Sequence, residues 1–296
     1  MEKIGFIGLG IMGKPMSKNL LKAGYKLVVY DINKQAVLEL VQTGAEEGYS
    51  PADVASRSDV IITMLPNSPE VREVVTGVNG LIYGVRTGSV FIDMSSIAPL
   101  TSIELSEKLS GKGVTMLDAP VSGGEPKAID GTLAIMVGGP EEAFDRVNDI
   151  LGAMGKSVRL VGGIGSGNIA KLANQIIVAL NIAAIGEAMT LATRAGVDPE
   201  KVYEAIRGGL AGSTALDAKM PLILSGNFKP GFRIELHIKD LNNALETAKE
   251  LGVPAVLSEK VLEIMEVLRD EGKGKDDHGG IIQYYEKLAG VEVRKK

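Results

Sequence analysis

The stretch "GFIGLGIMGKPMSKNLLKAG" (5–24) constrains this chain more than any other. Three glycines, Gly8, Gly10 and Gly13, sit between the strand-like "KIGFIG" and an amphipathic helical pattern with Pro15 in its first turn. In a G-x-G-x-x-G turn the first glycine permits the tight bend. The second lets a pyrophosphate approach the backbone, and the third lets helix and strand pack closely. The helix start, at Ile11, Met12 and Gly13, then offers free N–H groups and the positive end of a dipole to an anion. Thirty-seven glycines scatter such spacings by chance, so the weight lies in the strand before and the helix after. The alternative is a glycine-rich turn that binds nothing. Asp31 ends the next strand pattern, "KLVVYD", where a carboxylate accepts hydrogen bonds from ribose hydroxyls and repels a 2′-phosphate. That favours NAD(H); NADP(H) is tolerated if a cation such as Lys34 softens the charge.

The first half keeps alternating. Further strands are expected at 59–65, 89–94, 114–119, 132–138 and 157–162, with helices near 34–43, 51–56, 69–75, 99–110 and 140–152. Such alternation predicts an α/β Rossmann-type domain around a parallel sheet. From Asn168 onward helical spacing dominates, which predicts an all-α C-terminal domain. The boundary is expected near Gly162–Gly167, giving a dinucleotide-binding domain at 1–163 and a helical domain at 164–296. A long interdomain helix over about 168–195 joins them, ~42 Å long at ~1.5 Å per residue. It is apolar nearly all round, which implies burial on several sides, either by packing within the domain or in a homo-oligomer, a dimer or tetramer. Asn181, Gly186 and Glu187 interrupt the run and argue for a soluble helix over a membrane span. Composition makes "RDEGKGKDDHGG" (269–280) a solvated, mobile loop.

Composition narrows the partners. A net charge of −5 without a dense basic block is a poor match for nucleic acid. Zero cysteines exclude disulfides and thiol nucleophiles, and two histidines, His237 and His278, leave little for a metal. The start "MEKIGFIGLG" lacks the pattern of a secretory signal. A cytoplasmic protein acting on a small molecule is expected.

Ligands of doubly wound sheets bind beyond the carboxyl ends of strands. Leu65 and Pro66 in "MLPNSPE" can pack against the adenosine half of a dinucleotide. Ser96 in "DMSSIAP" can reach the nicotinamide ribose or carboxamide, or else Ser95 and Ser96 cap the following helix. In "DAPVSGGEPKA", Ser122, Gly123 and Gly124 bring a hydroxyl and two unobstructed N–H groups that can cradle a carboxylate; a plain turn is the bland reading. In the helix, Lys171, Asn174 and Gln175 share one face at i, i+3 and i+4. Carbonyl reduction leaves negative charge on oxygen, which a lysine ammonium can stabilise and protonate. A helix-end lysine reaching solvent is the alternative. Lys239 and Asp240, in "FKPGFRIELHIKDLNNALETA" (228–248), form a second polar insertion. Lys239 can approach the nicotinamide with Asp240 orienting it, or the two form an ordinary surface ion pair. His237 faces elsewhere on a helix and reads as structural.

Together "GFIGLGIMGKPMSKNLLKAG", "DMSSIAP", "DAPVSGGEPKAIDGTLAIMVGG", "GSGNIAKLANQ" and "GFRIELHIKDLNNA" resemble the β-hydroxyacid dehydrogenase family, in order and along the whole chain. The resemblance implies hydride exchange between a nicotinamide and a short aldehyde or hydroxy acid, in a cleft between two domains. It implies Lys171 as acid/base, with Ser122, Gly123 and Gly124 on the substrate carboxylate. It also places Ser96 and Lys239 at cofactor positions and Phe232 in the nicotinamide pocket. Many members carry Asn four residues after the lysine; here Gln175 stands there with Asn174 before it, so either amide is a candidate for substrate. Metal is not implied. A non-catalytic dinucleotide-binding interaction module is the rival of another class, and retention of Lys171 counts against it.

Overall fold

The computed structural model describes residues 2–295. They fall into two compact units, which divide between Lys171 and Leu172, inside a helix.

The first unit is a twisted sheet wrapped by helices. Its strands are β1 (Lys3–Ile7), β2 (Lys26–Tyr30), β3 (Glu46–Glu47), β4 (Val60–Thr63), β5 (Val90–Asp93), β6 (Thr115–Asp118), β7 (Val121–Ser122), β8 (Leu133–Gly138) and β9 (Gly155–Gly162). Between them run α1 (Gly13–Lys22), α2 (Lys34–Val41), α3 (Pro51–Ser56), α4 (Ser68–Thr76), α5 (Pro99–Ser110), α6 (Gly124–Asp130) and α7 (Glu141–Gly152). The spatial order is β3-β2-β1-β4-β5-β6-β8-β7, with β9 paired to β8. From β3 to β6 every pairing is parallel, and β8 runs antiparallel to β6. Strand order reverses between β1 and β4, and that switch point opens a crevice at the strands' carboxyl ends.

The central strands read as continuous apolar runs because both faces are covered. Side chains alternate between two cores, as the two-residue period of a strand requires. Phe6, Ile62, Ile92 and Leu117 enter one core, and Ile7, Ile61, Phe91 and Met116 the other. The expected strands and helices of this half are present within a few residues. Periodicity does not reveal β3, β7 and α6, each too short to show a period.

The second unit is helical. It takes in most of α8 (Ser166–Arg194), then α9 (Pro199–Ile206), α10 (Thr214–Leu224), α11 (Ile234–Glu250), α12 (Val256–Leu268) and α13 (Ile282–Ala289). Two apolar clusters hold it, one on α8, α11 and α12 around Leu241 and Met265, the other on α8 and α10 around Met189 and Met220.

Two expectations need correction. The 269–280 segment is a solvated loop only in part: Arg269, Asp270, Glu271, Gly272 and Lys275 are exposed, but the rest is structured. It forms a turn at Arg269–Lys273 and a 3₁₀ helix at His278–Ile281, and Asp277, His278, Gly279 and Gly280 are buried. Asp277 is the reason. Its carboxylate pairs with Lys219 at 2.8 Å and accepts from the N–H groups of Gly231, Phe232 and Gly279. Charge-rich composition reads as solvation only when those charges lack buried partners. The second correction concerns α8. The burial on several sides expected of this long apolar helix is not met within one chain, where Ile177 and Leu191 are exposed.

Candidate active site

The glycine turn lies at the end of β1, at the switch point. Gly8 has φ +96°, open to glycine at no steric cost, and a side chain there would collide with the Met64 carbonyl and with Leu65. A side chain on Gly13 would strike the Gly8 carbonyl, so the start of α1 can approach the strand only through glycine. Around Gly10 there is open space, with no atom within 4 Å of an added Cβ. Gly10 and Ile11 are exposed, Met12 is half-buried, and the first turn of α1 carries no side-chain cap. Lys14 N and Met16 N bond back to the Gly10 and Met12 carbonyls and Pro15 has no N–H, so what fits this turn to a dinucleotide pyrophosphate is the positive end of α1 behind the open space at Gly10.

Asp31 stands at the end of β2 and is half-buried. Its Oδ2 accepts from Leu9 N at 2.5 Å and its Oδ1 from Asn33 N at 2.7 Å. The carboxylate thus braces the glycine turn itself, a duty its spacing alone does not suggest. Lys34 is drawn elsewhere, to Glu47 at 3.4 Å and over the Tyr30 ring. Beyond β4, Leu65 is half-buried and Pro66 exposed.

The loop after β5 settles the capping question. The residue capping α5 is Ala98, with Pro99 in the first turn, so neither serine caps it. Ser95 is buried, donating to Asp93 Oδ1 at 2.6 Å and accepting from Leu65 N at 2.9 Å. It ties the β4 and β5 loops together. Ser96, the next residue, is half-buried. After β6 the chain turns through β7 to Ser122, Gly123 (φ +141°) and Gly124 (φ +68°), so the pair of glycines takes backbone angles other residues avoid.

Sequence reasoning missed two carboxyls. Asp93 and Asp118 end adjacent strands as register partners, and both are fully buried. Burial pushes Asp93 up to about 6 against the pull of bonds from Ser95 and Thr63, and the Asp118 charge adds to the rise. Burial likewise pushes Asp118 to about 6, opposed by the N–H groups of Asn168 and Gly165. Those two donors begin α8, 50 and 47 residues away in sequence. No local spacing carries a signal across that distance. Lys171 follows on α8 and is buried, 6% exposed; it is not a lysine reaching solvent.

In the second unit, Gln175 is buried and fully engaged. Its amide donates to Asp240 Oδ2 at 2.6 Å, and its side-chain oxygen accepts from Asn174 Nδ2 at 2.9 Å. Lys239 pairs with the other Asp240 oxygen at 2.9 Å. With Asp240 3% and Lys239 20% exposed, this is not an ordinary surface ion pair. His237 Nε2 lies 3.1 Å from the Gln175 carbonyl, which can only accept, so the nitrogen carries the proton. In the neutral ring Nδ1 is then an acceptor, and His278 Nδ1 donates to it at 2.9 Å. Phe232 stands edge-on to both imidazoles. His237 is buried, and its partner is the histidine that composition assigned to a loop.

A parallel sheet with a glycine turn at its switch point, followed by a helical unit, defines a dinucleotide-dependent oxidoreductase. Residues 3–163 match the family model of the NAD binding domain of 6-phosphogluconate dehydrogenase. Residues 165–285 match that described as NAD-binding of NADP-dependent 3-hydroxyisobutyrate dehydrogenase. The 2-hydroxy-3-oxopropionate reductase of Escherichia coli (strain K12) is 43% identical over 97% of this chain and 98% of that protein. The 2-(hydroxymethyl)glutarate dehydrogenase of Eubacterium barkeri is 39% identical over 98% and 97%. The solved 3-hydroxyisobutyrate dehydrogenase of Mycobacterium tuberculosis with L-serine superposes with a TM-score of 0.89 at 32% identity, covering 96% of this chain and 99% of that one. The chain belongs to the β-hydroxyacid dehydrogenase family: it is an NAD(P)-dependent oxidoreductase acting on CH–OH groups.

Proposed function

We propose that this protein reduces tartronate semialdehyde (2-hydroxy-3-oxopropanoate) to D-glycerate with NADH, reversibly, and that Lys171 is the general acid/base. The observation that carries the chemistry is a buried lysine one turn into a helix whose start is bonded to the ends of the ligand-bearing strands. The similarity to the E. coli reductase supports the choice of substrate.

Gly8, Gly10, Ile11, Met12 and Gly13 hold the pyrophosphate, Asp31 the adenosine ribose, and Leu65 and Pro66 the adenine side. Ser96, Phe232 and Lys239 meet the nicotinamide end, with Asp240 orienting Lys239. The nicotinamide, when bound, supplies the hydride. Ser122 and the N–H groups of Gly123 and Gly124 hold the substrate carboxylate and so aim the aldehyde. As negative charge grows on the aldehyde oxygen, the Lys171 ammonium stabilises it and gives up its proton. In reverse, neutral Lys171 takes the proton from the alcohol. Asn174 is our choice of amide for the substrate hydroxyl, because the buried Gln175 amide donates to Asp240. NADH is preferred because Asp31 sets a negative charge where a 2′-phosphate would lie.

The protein works in the cytoplasm as a homo-oligomer, a dimer or tetramer. Exposed Ala173, Ile177, Ala184, Ala188 and Leu191 recur along α8 at close to heptad spacing, which supports pairing with a second copy.

A second reading, 3-hydroxyisobutyrate dehydrogenase, is favoured by the 0.89 superposition on that enzyme and shares every proposed catalytic residue. Initial rates on tartronate semialdehyde and methylmalonate semialdehyde, with NADH and with NADPH, separate the two. Faster turnover of the tartronate compound is expected; equal or faster turnover of the methylmalonate compound overturns the assignment.

A further inference from the structure

We infer that Asp118 and Asn168 are positioning residues that set the reach of Lys171 by clamping the first turn of α8 to the ends of β5 and β6. The inference rests on Lys171 being the proton donor. A helix start leaves its first N–H groups without partners, and a side chain nearby in sequence normally caps them. Here the cap comes from another strand. Asp118, the last residue of β6, accepts from Gly165 N and Asn168 N, both at 2.7 Å. Close approach makes room for it, since a Cβ on Gly138 or Gly167 would run into the Asp118 carboxylate. Asn168 adds the second tie. Its Oδ1 accepts from Ile97 N at 3.1 Å and its Nδ2 donates to Ser102 Oγ at 3.1 Å, and both bonds are buried.

The placement of these ties is what gives them a catalytic consequence. Ile97 immediately follows Ser96, and Asp118 leads through a short turn to Ser122. Lys171 lies three residues beyond Asn168, ~4.5 Å along the helix axis. The same two side chains therefore register the lysine against the serine of each ligand-bearing loop. A 29-residue helix does not need these bonds to stay helical, but its start can shift without them. A misplacement of ~1 Å in a reacting geometry costs on the order of 10²-fold in rate.

The test is a double-mutant cycle on the full chain, using whichever aldehyde it reduces faster. Asp118→Asn turns one acceptor into a donor facing an N–H, and Asn168→Ala removes the second tie. Each is expected to lower kcat by roughly 10–10²-fold, with KM for the aldehyde changing less and NADH affinity by fluorescence within about threefold of the parent. In a Lys171→Ala background neither change should slow the reaction further, because residues acting through one group are not additive. A variant with parental kcat, or the same fold-loss with and without Lys171, overturns the inference. If Lys171→Ala itself runs at the parental rate, the Lys171 assignment fails and the clamp with it. Should Asp118→Asn fail to fold, Asn168→Ala reads the same cycle from the other tie.

Discussion

Lys171 is our proposed proton donor because of its company: a charged residue in an apolar helix needs a partner or a use. Its 6% exposure removes the solvent-reaching alternative. Lys171→Ala is expected to cut kcat by roughly 10²–10⁴-fold, the usual worth of a general acid, while NADH still quenches or shifts fluorescence as in the parent. Parental turnover would reassign the proton donor. Asp31 carries two loads, the turn at Leu9 and the proposed ribose. Asp31→Ala should therefore raise KM for both cofactors while narrowing the gap in kcat/KM between NADH and NADPH. Steady-state rates with each cofactor check this, and an unchanged ratio would show that another residue selects. Asn174 and Gln175 look equivalent in sequence. Only the bond from Gln175 to Asp240, 65 residues on, tells them apart.

Among elements, the ends of β5 and β6 stand out for placing two buried carboxyls side by side. Both have folded-state values of about 6, above the ordinary 3.8. The folded protein thus holds protons that the unfolded chain has released, and the stability they contribute is full below about 4 and lost as pH rises through about 6. A rise of about 2 units corresponds to about 3 kcal/mol per group. Asp93→Asn keeps an acceptor for Thr63 and Ser95 and removes one of the two ionisations. Urea unfolding at pH 5 and pH 8 should show the variant losing about 1.4 kcal/mol less than the parent over that range, because about half of the full effect is already gone at pH 5. An identical pH dependence in both proteins would mean that Asp93 titrates normally. The 269–280 segment makes a related point: Asp277 is a buried acceptor of three N–H groups and not a solvated charge.

For the molecule as a whole, the uncovered stripe of α8 is the feature a single chain leaves unresolved. Light scattering is expected to give two or four times the 31.1 kDa chain mass. Ile177→Asp with Leu191→Asp should reduce it toward one chain, since burying two carboxylates in an apolar seam is costly. A parent that runs as a single chain at micromolar concentration would end the assembly proposal.

Strand and helix periodicity, the glycine turn and the lysine on its helix were all readable from the order of residues. Each depends on neighbours within a few positions, where backbone geometry dictates which side chains share a face. Asp93, Asp118, Asn168, the Asp277 hub and the bond from Gln175 to Asp240 were not readable. Their meaning comes from hydrogen bonds between residues dozens of positions apart, and a chain acquires those only when burial removes water as the competing partner.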